Sequence, residues 1–340
     1  MGFPAMNSKQ RVLARLAGQP VDRIPNHNIV MQFAAKRIGV TYAEYVQDYR
    51  LLVQGNLAVV VDFGVDAVSA ISDPMREGGD LGMVLDFPPD GVPHPSQGPL
   101  IKQPEDLLAL KPIPPESGRR MSDRLNAVSL FKQEVGDDLP IIGWVEGAFA
   151  QAADIRGFSE FLMDTMIDPV FVTDLLDLCL EQEILFAKAQ IAAGADIIGI
   201  GDAITSVAGP MAYEEFALPY QIRLLTAIKE AGAYTKLHIC GDTAPFLELL
   251  PAHLCDIIDV DWMVPLPAVV DLHGSTSGAC GNYDPVAVLL QGTPAQVREA
   301  VRSAVEQAGP RGFSSAGCEV PRETPPENFR AVHEALAELC

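Results

Sequence analysis

The sequence predicts an α/β protein, a (β/α)8 or TIM barrel formed by a single domain over residues 1–340. Two observations indicate this fold. Eight short apolar segments alternate mostly with segments of helical periodicity, which is the order of elements in such a barrel. The segment 195–200 is apolar without interruption, as expected where helices cover a parallel sheet. The predicted strands are 28–30, 66–71, 140–145, 195–200, 235–242, 256–260, 278–282 and 312–316.

An amino-terminal extension and one long excursion complete the predicted chain path. A helix over 11–16 precedes the first strand. After the second strand, residues 74–118 are rich in glycine and proline and lack periodicity, which predicts a long loop that is either a lid or a plain surface excursion. A short hairpin is expected around Asp90 and Gly91.

Capping side chains predict where several helices begin. Asp168 followed by Pro169 is typical of a helix start, and the apolar residues after them are spaced as a buried stripe that includes Cys179. The last helix is predicted to begin with a capping box formed by Thr324 and Glu327.

Composition excludes two classes of partner. The chain has 45 acidic and 24 basic residues and a net charge of -21, which would repel a nucleic acid. No run of about 18 uncharged apolar residues is present, so no membrane span is predicted. The first seven residues lack the apolar core of a secretion signal, so we expect a cytoplasmic protein whose six cysteines are thiols or metal ligands.

A soft-metal site is predicted at the fifth strand, 235–242. Residues two apart in a strand point to the same face, so His238 and Cys240 are expected to project side by side. Cys318, at the end of the last predicted strand, is the candidate third ligand, because the carboxyl ends of barrel strands converge on one face. Three such ligands would hold Zn²⁺ and leave one position open.

Four other polar residues end predicted strands: Asp73, Glu146, Asp202 and Asn282. They are expected either to position substrate, to orient His238 from behind, or only to cap loops. Glu146 is also a candidate fourth ligand. The remaining cysteines 179, 255, 280 and 340 are expected to be core or surface thiols, and the histidines 27 and 253 to be ordinary hydrogen-bonded side chains.

Six segments of the chain have the wording of a known group of proteins. They are Asp22-Arg23-Ile24-Pro25, Ser72-Asp73-Pro74, Gly201-Asp202-Ala203, Leu237-His238-Ile239-Cys240-Gly241-Asp242, Gly281-Asn282-Tyr283-Asp284-Pro285 and Ala316-Gly317-Cys318-Glu319-Val320-Pro321. These segments resemble the uroporphyrinogen decarboxylase superfamily, and within it the corrinoid-linked methyltransferase branch. The resemblance extends from about residue 7 to the end of the chain, and the His-x-Cys pair with a distant cysteine is its branch-specific part.

This resemblance implies a zinc-dependent enzyme that moves a methyl group from methylcobalamin on a separate small corrinoid-binding protein to a small acceptor. A thiol such as coenzyme M is the expected acceptor, and tetrahydrofolate is another. The alternatives are transfer in the reverse sense from a methylated donor to the corrinoid, a decarboxylase, and a non-enzymatic corrinoid-handling barrel with structural zinc. The arginine-rich motif of the decarboxylases is missing, since residues 24–29 contain no arginine to bind the carboxylates of a porphyrinogen.

Overall fold

The computed structural model describes residues 5–339, and its centre is a curled sheet of seven parallel strands. The seven strands lie side by side in the order in which they occur along the chain. Helices surround the sheet, so the predicted α/β barrel is confirmed. The strands of the sheet are β1 (Val68–Ser69), β4 (Ile141–Glu146), β5 (Ile197–Gly201), β6 (Tyr234–Ile239), β7 (Ile257–Val260), β8 (Gly278–Tyr283) and β9 (Phe313–Ala316), and β2 (Leu85–Asp86) and β3 (His94–Pro95) form a separate hairpin.

The barrel closes between β9 and β1 through a short extended segment instead of an eighth strand. The backbone N–H of His27 donates to the carbonyl of Ser314 at 2.8 Å, and Asp66 N–H donates to the carbonyl of Asn26 at 2.8 Å. The predicted strand at 28–30 is therefore wrong in position, because the residue that forms a β-bridge to Ser314 is Asn26. The side chain of Asn28 replaces further ladder bonds by accepting from Ala316 N–H at 2.8 Å.

Helices follow most strands and form the outer layer. They are α1 (Ser8–Leu16), α2 (Gln32–Arg37), α3 (Tyr42–Gln47), α4 (Tyr49–Phe63), α5 (Arg76–Asp80), α6 (Arg119–Val135), α7 (Ala148–Arg156), α8 (Phe158–Ile167), α9 (Pro169–Ala193), α10 (Thr205–Ala212), α11 (Leu218–Glu230), α12 (Leu266–His273), α13 (Pro294–Gln307) and α14 (Pro326–Glu338). Short 3-10 segments cover Pro104–Ala109, Pro115–Ser117, Ala244–Leu249 and Ala252–Leu254, and π-helical turns cover Tyr213–Ala217 and Pro285–Leu290. Across residues 5–339, none of these helices has the length and apolar character that crossing a membrane requires.

The predicted helix starts are confirmed at α9 and wrong at α14. Asp168 accepts a hydrogen bond from the backbone N–H of Phe171 at 3.1 Å, and Cys179 is fully buried on the inner stripe. At α14 the N-cap residue is Pro325, one position later than predicted. The hydroxyl of Thr324 is buried without a hydrogen-bond partner among the described residues, so no capping box forms.

The excursion after β1 is ordered by α5, the hairpin and two 3-10 segments. The hairpin pairs Leu85 with Pro95 in antiparallel register, which confirms the turn predicted around Asp90 and Gly91. The carboxylate of Asp80 then accepts backbone hydrogen bonds at the start of α6, 2.9 Å from Arg120 N. The lid function proposed for this excursion stays a prediction.

Helix α1 closes the amino ends of the strands. Its Val12 and Leu16 belong to one buried cluster with barrel-interior residues such as Ile197, Ile257 and Phe313. The interior is consequently filled at this end by apolar side chains, and access from solvent is left to the carboxyl ends of the strands.

Candidate metal centre

Two strands and their following loops bring three soft ligands together. His238 is the fifth residue of β6, Cys240 follows that strand, and Cys318 follows β9. Nε2 of His238 lies 2.9 Å from Sγ of Cys240, which lies 3.4 Å from Sγ of Cys318. One ligand atom from each residue lies within 4.8 Å of the other two. The structure therefore places all three predicted ligands at one point, although their metal-binding role stays a prediction.

The chemistry of this donor set fits zinc. Two thiolates and one imidazole are ligands that Zn²⁺ accepts, and catalytic zinc sites use three protein ligands. His238 is buried, whereas Cys240 and Cys318 are half-buried and face the cavity at the open end of the barrel. A metal ion held by these three residues would therefore have its fourth position open to a small molecule from the side of the cavity.

A buried ion pair lies behind His238. Asp259 of β7 is directly opposite His238 in the parallel register, and its Oδ2 lies 3.2 Å from Nδ1 of the imidazole. The same oxygen is 2.9 Å from Nζ of Lys236, which is two residues earlier on β6 and faces the same interior. A carboxylate beside Nδ1 leaves Nε2 directed at the thiols, as in most metal-ligating histidines.

The charges of these groups depend on one another. Burial would lower the pKa of His238, but the neighbouring Cys240 and Asp259 raise it well above its usual value. Hydrogen bonding between the two thiols lowers the pKa of Cys318 and raises that of Cys240. The Asp259 carboxylate has a lowered pKa in spite of burial, because Lys236 and His238 stabilise its charge.

His27 also lies near this ion pair, and the structure corrects its predicted environment. Both ring nitrogens are buried without a hydrogen-bond partner among residues 5–339, so the expected ordinary hydrogen-bonded histidine is wrong here. The ring packs against Phe313 with centroids 4.7 Å apart. Burial, with help from the Lys236 charge, lowers the pKa of His27 to about 3, which keeps the ring neutral.

A cavity of about 160 Å³ opens beside the three ligands. Its apolar walls include Ile29 and Trp144, and the indole lies 6.3 Å from the His238 ring between centroids. The lining also contains the carboxyl groups of Asp73, Glu146 and Glu319.

The sequence profile of uroporphyrinogen decarboxylase matches residues 7–339. The chain belongs to the uroporphyrinogen decarboxylase family. This result agrees with the resemblance found in the sequence motifs.

Similar proteins include both methyltransferases and decarboxylases. The chain is 33% identical to a methylcobamide:CoM methyltransferase of Methanosarcina mazei, with 96% of each chain covered. It is 28% identical to a uroporphyrinogen decarboxylase of Carboxydothermus hydrogenoformans, with 88% of this chain and 86% of that one covered. A solved methyltransferase from Methanosarcina mazei has the same fold, with a TM-score of 0.88, 24% identity, and coverage of 98% and 99% of the two chains.

In this family member, two of the predicted strand-end carboxylates line the cavity. Asp73 accepts a hydrogen bond from Nη2 of Arg120 at 2.5 Å, and this guanidinium and that of Arg76 lower its pKa in spite of burial. Glu146 accepts from Nη2 of Arg76 at 2.9 Å. Burial raises the pKa of Glu146 to about 8, although Arg76 opposes the shift. The two carboxyl groups therefore face the same cavity with different protonation behaviour.

Asp202 and Asn282 lie outside the cavity lining. The Asp202 carboxylate accepts from Ala150 N–H at 3.0 Å and from Gln221 Nε2 at 2.8 Å, so it ties α7 to α11. Burial raises the pKa of Asp202 to about 6 against these hydrogen bonds. Asn282 donates to the carbonyls of Asp261, at 3.2 Å, and Val264.

These bonds fix the surroundings of the site. Asp261 in turn accepts from Gly241 N–H at 2.6 Å, next to Cys240. A role for Asp202 or Asn282 in contacting substrate stays a prediction.

The sequence interpretation missed four site residues: Lys236, Asp259, Arg76 and Glu319. A signal existed for the first two, since charged residues in otherwise apolar buried strands usually have a charged partner. No pattern distinguished Arg76, which lies three residues after Asp73 in the excursion. Glu319 is adjacent to Cys318, and burial raises its pKa to about 8.

Proposed function

We propose that this chain is a zinc-dependent methyltransferase that moves a methyl group from a methylated corrinoid on a separate protein to a small thiol such as coenzyme M. The observation that carries the proposal is the His238, Cys240 and Cys318 cluster, whose ligand atoms lie within 4.8 Å of one another beside an apolar cavity. Relatives at 31–33% identity are named methylcobamide:CoM methyltransferases, which supports the same reaction class.

His238, Cys240 and Cys318 would hold the zinc ion. Bound zinc would supply Lewis-acid activation, so that an acceptor thiol is present as its thiolate near neutral pH. Asp259 holds the His238 imidazole in the orientation that presents Nε2, and Lys236 keeps this carboxylate charged. The apolar walls around Trp144 limit water beside the acceptor sulfur.

Glu146 is suited to exchange the proton that the acceptor thiol must lose. Burial raises its pKa to about 8, so this carboxyl group can both hold and release a proton near neutral pH, in the cavity that it shares with the three ligands. Arg76, which donates to the same carboxyl group, holds it at the cavity wall.

The cavity size supports the methyltransferase over the decarboxylase alternative. A volume of about 160 Å³ is below the roughly 300–1,000 Å³ typical of sites that enclose drug-sized ligands, and a tetrapyrrole is larger still. A small acceptor thiol fits this volume, while the corrinoid would remain at the mouth of the barrel.

The test combines metal content with methyl transfer. Purified protein is expected to contain stoichiometric zinc. It should also demethylate free methylcobalamin in the presence of a small thiol, and the visible spectrum of methylcobalamin measures this reaction. Cys318→Ala should lose both properties, whereas Cys255→Ala, at a buried thiol outside the cluster, should keep both. Retention of zinc and activity by Cys318→Ala would remove the proposed mechanism.

A panel of acceptors then separates the remaining alternatives. Coenzyme M, homocysteine and tetrahydrofolate test the acceptor class, and a Co(I) corrinoid with methylated donors tests the reverse direction. A structural zinc would show no change in coordination when thiol is added. The single-domain organisation and the cytoplasmic location stay predictions.

A further inference from the structure

A large apolar groove lies on the outside of the barrel between α8 and α10. We call it the rim groove, and its volume is about 490 Å³. Met166 of α8 and Val207 and Met211 of α10 line it with 86%, 62% and 85% of their surfaces exposed. Glu215 is the charged residue in its lining. A groove lined by exposed apolar side chains is a candidate site of interaction.

The rim groove adjoins the metal centre. Helix α10 begins just after Ala203, which lines the catalytic cavity. Its residue Ser206 packs closely against Gly241, since a Cβ atom added at Gly241 would lie 2.7 Å from the Ser206 hydroxyl oxygen. Farther along, the ring of Tyr213 stacks on Phe246 with centroids 4.2 Å apart. These contacts join the groove wall to the loop that follows Cys240, at the open end of the barrel.

The proposed reaction requires a large donor at that end. The catalytic cavity of about 160 Å³ cannot enclose a corrin macrocycle, so the methyl-bearing face must be presented from outside. A protein that carries the corrinoid must then rest on the barrel surface next to the mouth. The inference that follows rests on the proposed function in this respect.

We propose that the rim groove is the docking surface for the corrinoid-carrying protein, which inserts an apolar element between α8 and α10. The methionine side chains at Met166 and Met211 are flexible and polarizable, which suits a surface that must bind and release its partner at each turnover. Glu215 is the one charged residue of the lining, so most of the contact that the groove offers is apolar although the chain has a net charge of -21.

A second copy of this chain is the competing occupant, and the position of the groove argues against it. A copy seated between α8 and α10 would lie beside the mouth and compete with the donor for the same approach. The groove would then be blocked during the reaction that the adjacent metal centre is proposed to perform.

The experiment compares two methyl donors with one variant. The donors are a methyl-Co(III) corrinoid protein from the organism of this chain and free methylcobalamin, and the variant is Val207→Glu combined with Met211→Glu. The KM for the corrinoid protein should rise about tenfold or more, as expected when exposed apolar anchors of an interface are lost. The rate with free methylcobalamin should stay unchanged, since neither residue lines the catalytic cavity.

Val61→Glu is the matched control. Val61 is 83% exposed in the last turn of α4, which precedes β1 and so lies towards the amino ends of the strands. This variant should behave as the wild-type chain with both donors.

Three results would overturn the inference. They are an unchanged KM for the corrinoid protein in the groove variant, an equal rise in the Val61→Glu control, and a wild-type dimer in sedimentation that the groove variant dissociates. Activity of the wild-type chain with free methylcobalamin shows that the proposed function stands even if docking occurs elsewhere. A wild-type chain inactive with both donors removes the proposed function and this inference together.

Discussion

Asp259 contacts the proposed metal ligand His238 without being a proposed ligand itself. Its carboxylate lies between Nδ1 of His238, at 3.2 Å, and Nζ of Lys236, at 2.9 Å. The side chain is almost fully buried, so its interactions are not screened by solvent. It fixes the ring of His238 and stabilises the charge of Lys236 at the same time.

Asp259→Asn should weaken zinc binding by about 10- to 100-fold, because the imidazole loses the carboxylate that orients it. Competition with a chromophoric chelator measures the affinity directly. Asp256→Asn, on the same segment but bound to Thr235 and Lys229, should leave the affinity unchanged. Equal zinc affinities in wild type and Asp259→Asn would contradict the orienting role.

The same substitution should also destabilise the protein, since it leaves Lys236 buried without its counter-charge. Combining Asp259→Asn with Lys236→Met removes both charges and should recover stability, as replacement of whole buried ion pairs often does. Zinc affinity should stay low in the combined variant. Urea denaturation measures the stability and chelator competition measures the zinc affinity. Recovered stability with low zinc affinity would show that Asp259 acts by orienting His238 and not only by maintaining the fold.

Glu183 on α9 is expected to make the stability of the protein depend on pH. Both of its carboxyl oxygens are buried, and burial, with the nearby acids Glu77 and Glu146, raises its pKa well above the usual value. An acid with a raised folded pKa stabilises the protein below its unfolded pKa and loses that contribution as pH rises through the folded value.

Glu183→Gln should therefore gain stability relative to wild type as pH increases, by about 1.4 kcal/mol for each pKa unit of the shift. Urea denaturation at about pH 5 and about pH 8 checks this. Glu181→Gln, at an exposed carboxyl two residues earlier, is the control and should show no such trend. A Glu183→Gln effect independent of pH would show that titration of this group is not the cause.

At the scale of elements, strands with continuous apolar sequence were predictable and the first strand was not. The boundaries of β4 to β9 were placed within three residues, and the largest error is at the end of β6, predicted at 242 and observed at Ile239. The first strand failed because residues 26 and 28 use their side chains, as well as their backbone, to close the barrel. Asn28 accepts from Ala316 N–H, a contact between distant residues that local sequence cannot show.

Some residues of the candidate site were likewise predictable from the sequence, and others were not. The barrel order allowed Cys318 to be placed beside His238 and Cys240 across seventy-eight positions, because all strand ends share one face. The roles of Arg76 and Glu319 depend on how the excursion and the last loop fold over the cavity. Their side chains are recognisable only once the tertiary contacts are known.

The two helix starts that were predicted alike should respond differently to substitution. Asp168→Ala removes a cap that accepts from Phe171 N–H and should cost about 1 kcal/mol of unfolding free energy. Thr324→Val removes a buried hydroxyl that has no partner among the described residues and should be neutral or stabilising. Urea denaturation of both variants measures the change in unfolding free energy. An equal loss in both would indicate that Thr324 caps α14 as predicted from the sequence.

At the scale of the whole molecule, the net charge of -21 acts on stability through self-repulsion. Raising the ionic strength from about 0.01 M to about 0.15 M shortens the screening distance from about 30 Å to about 8 Å. The urea midpoint should therefore increase with NaCl over this range. A midpoint that falls with salt would mean that attractive ion pairs, such as Arg11 with Asp22 and Asp66, outweigh the repulsion.

The position of Cys318 has a consequence for biosynthesis. His238 and Cys240 emerge from the ribosome well before β9, so the nascent chain holds two of the three proposed zinc ligands and no closed barrel. Cys318 and the bridge between Ser314 and Asn26 become available only once β9 has been synthesised. The proposed metal site and the closed barrel are therefore completed by the same segment of the chain.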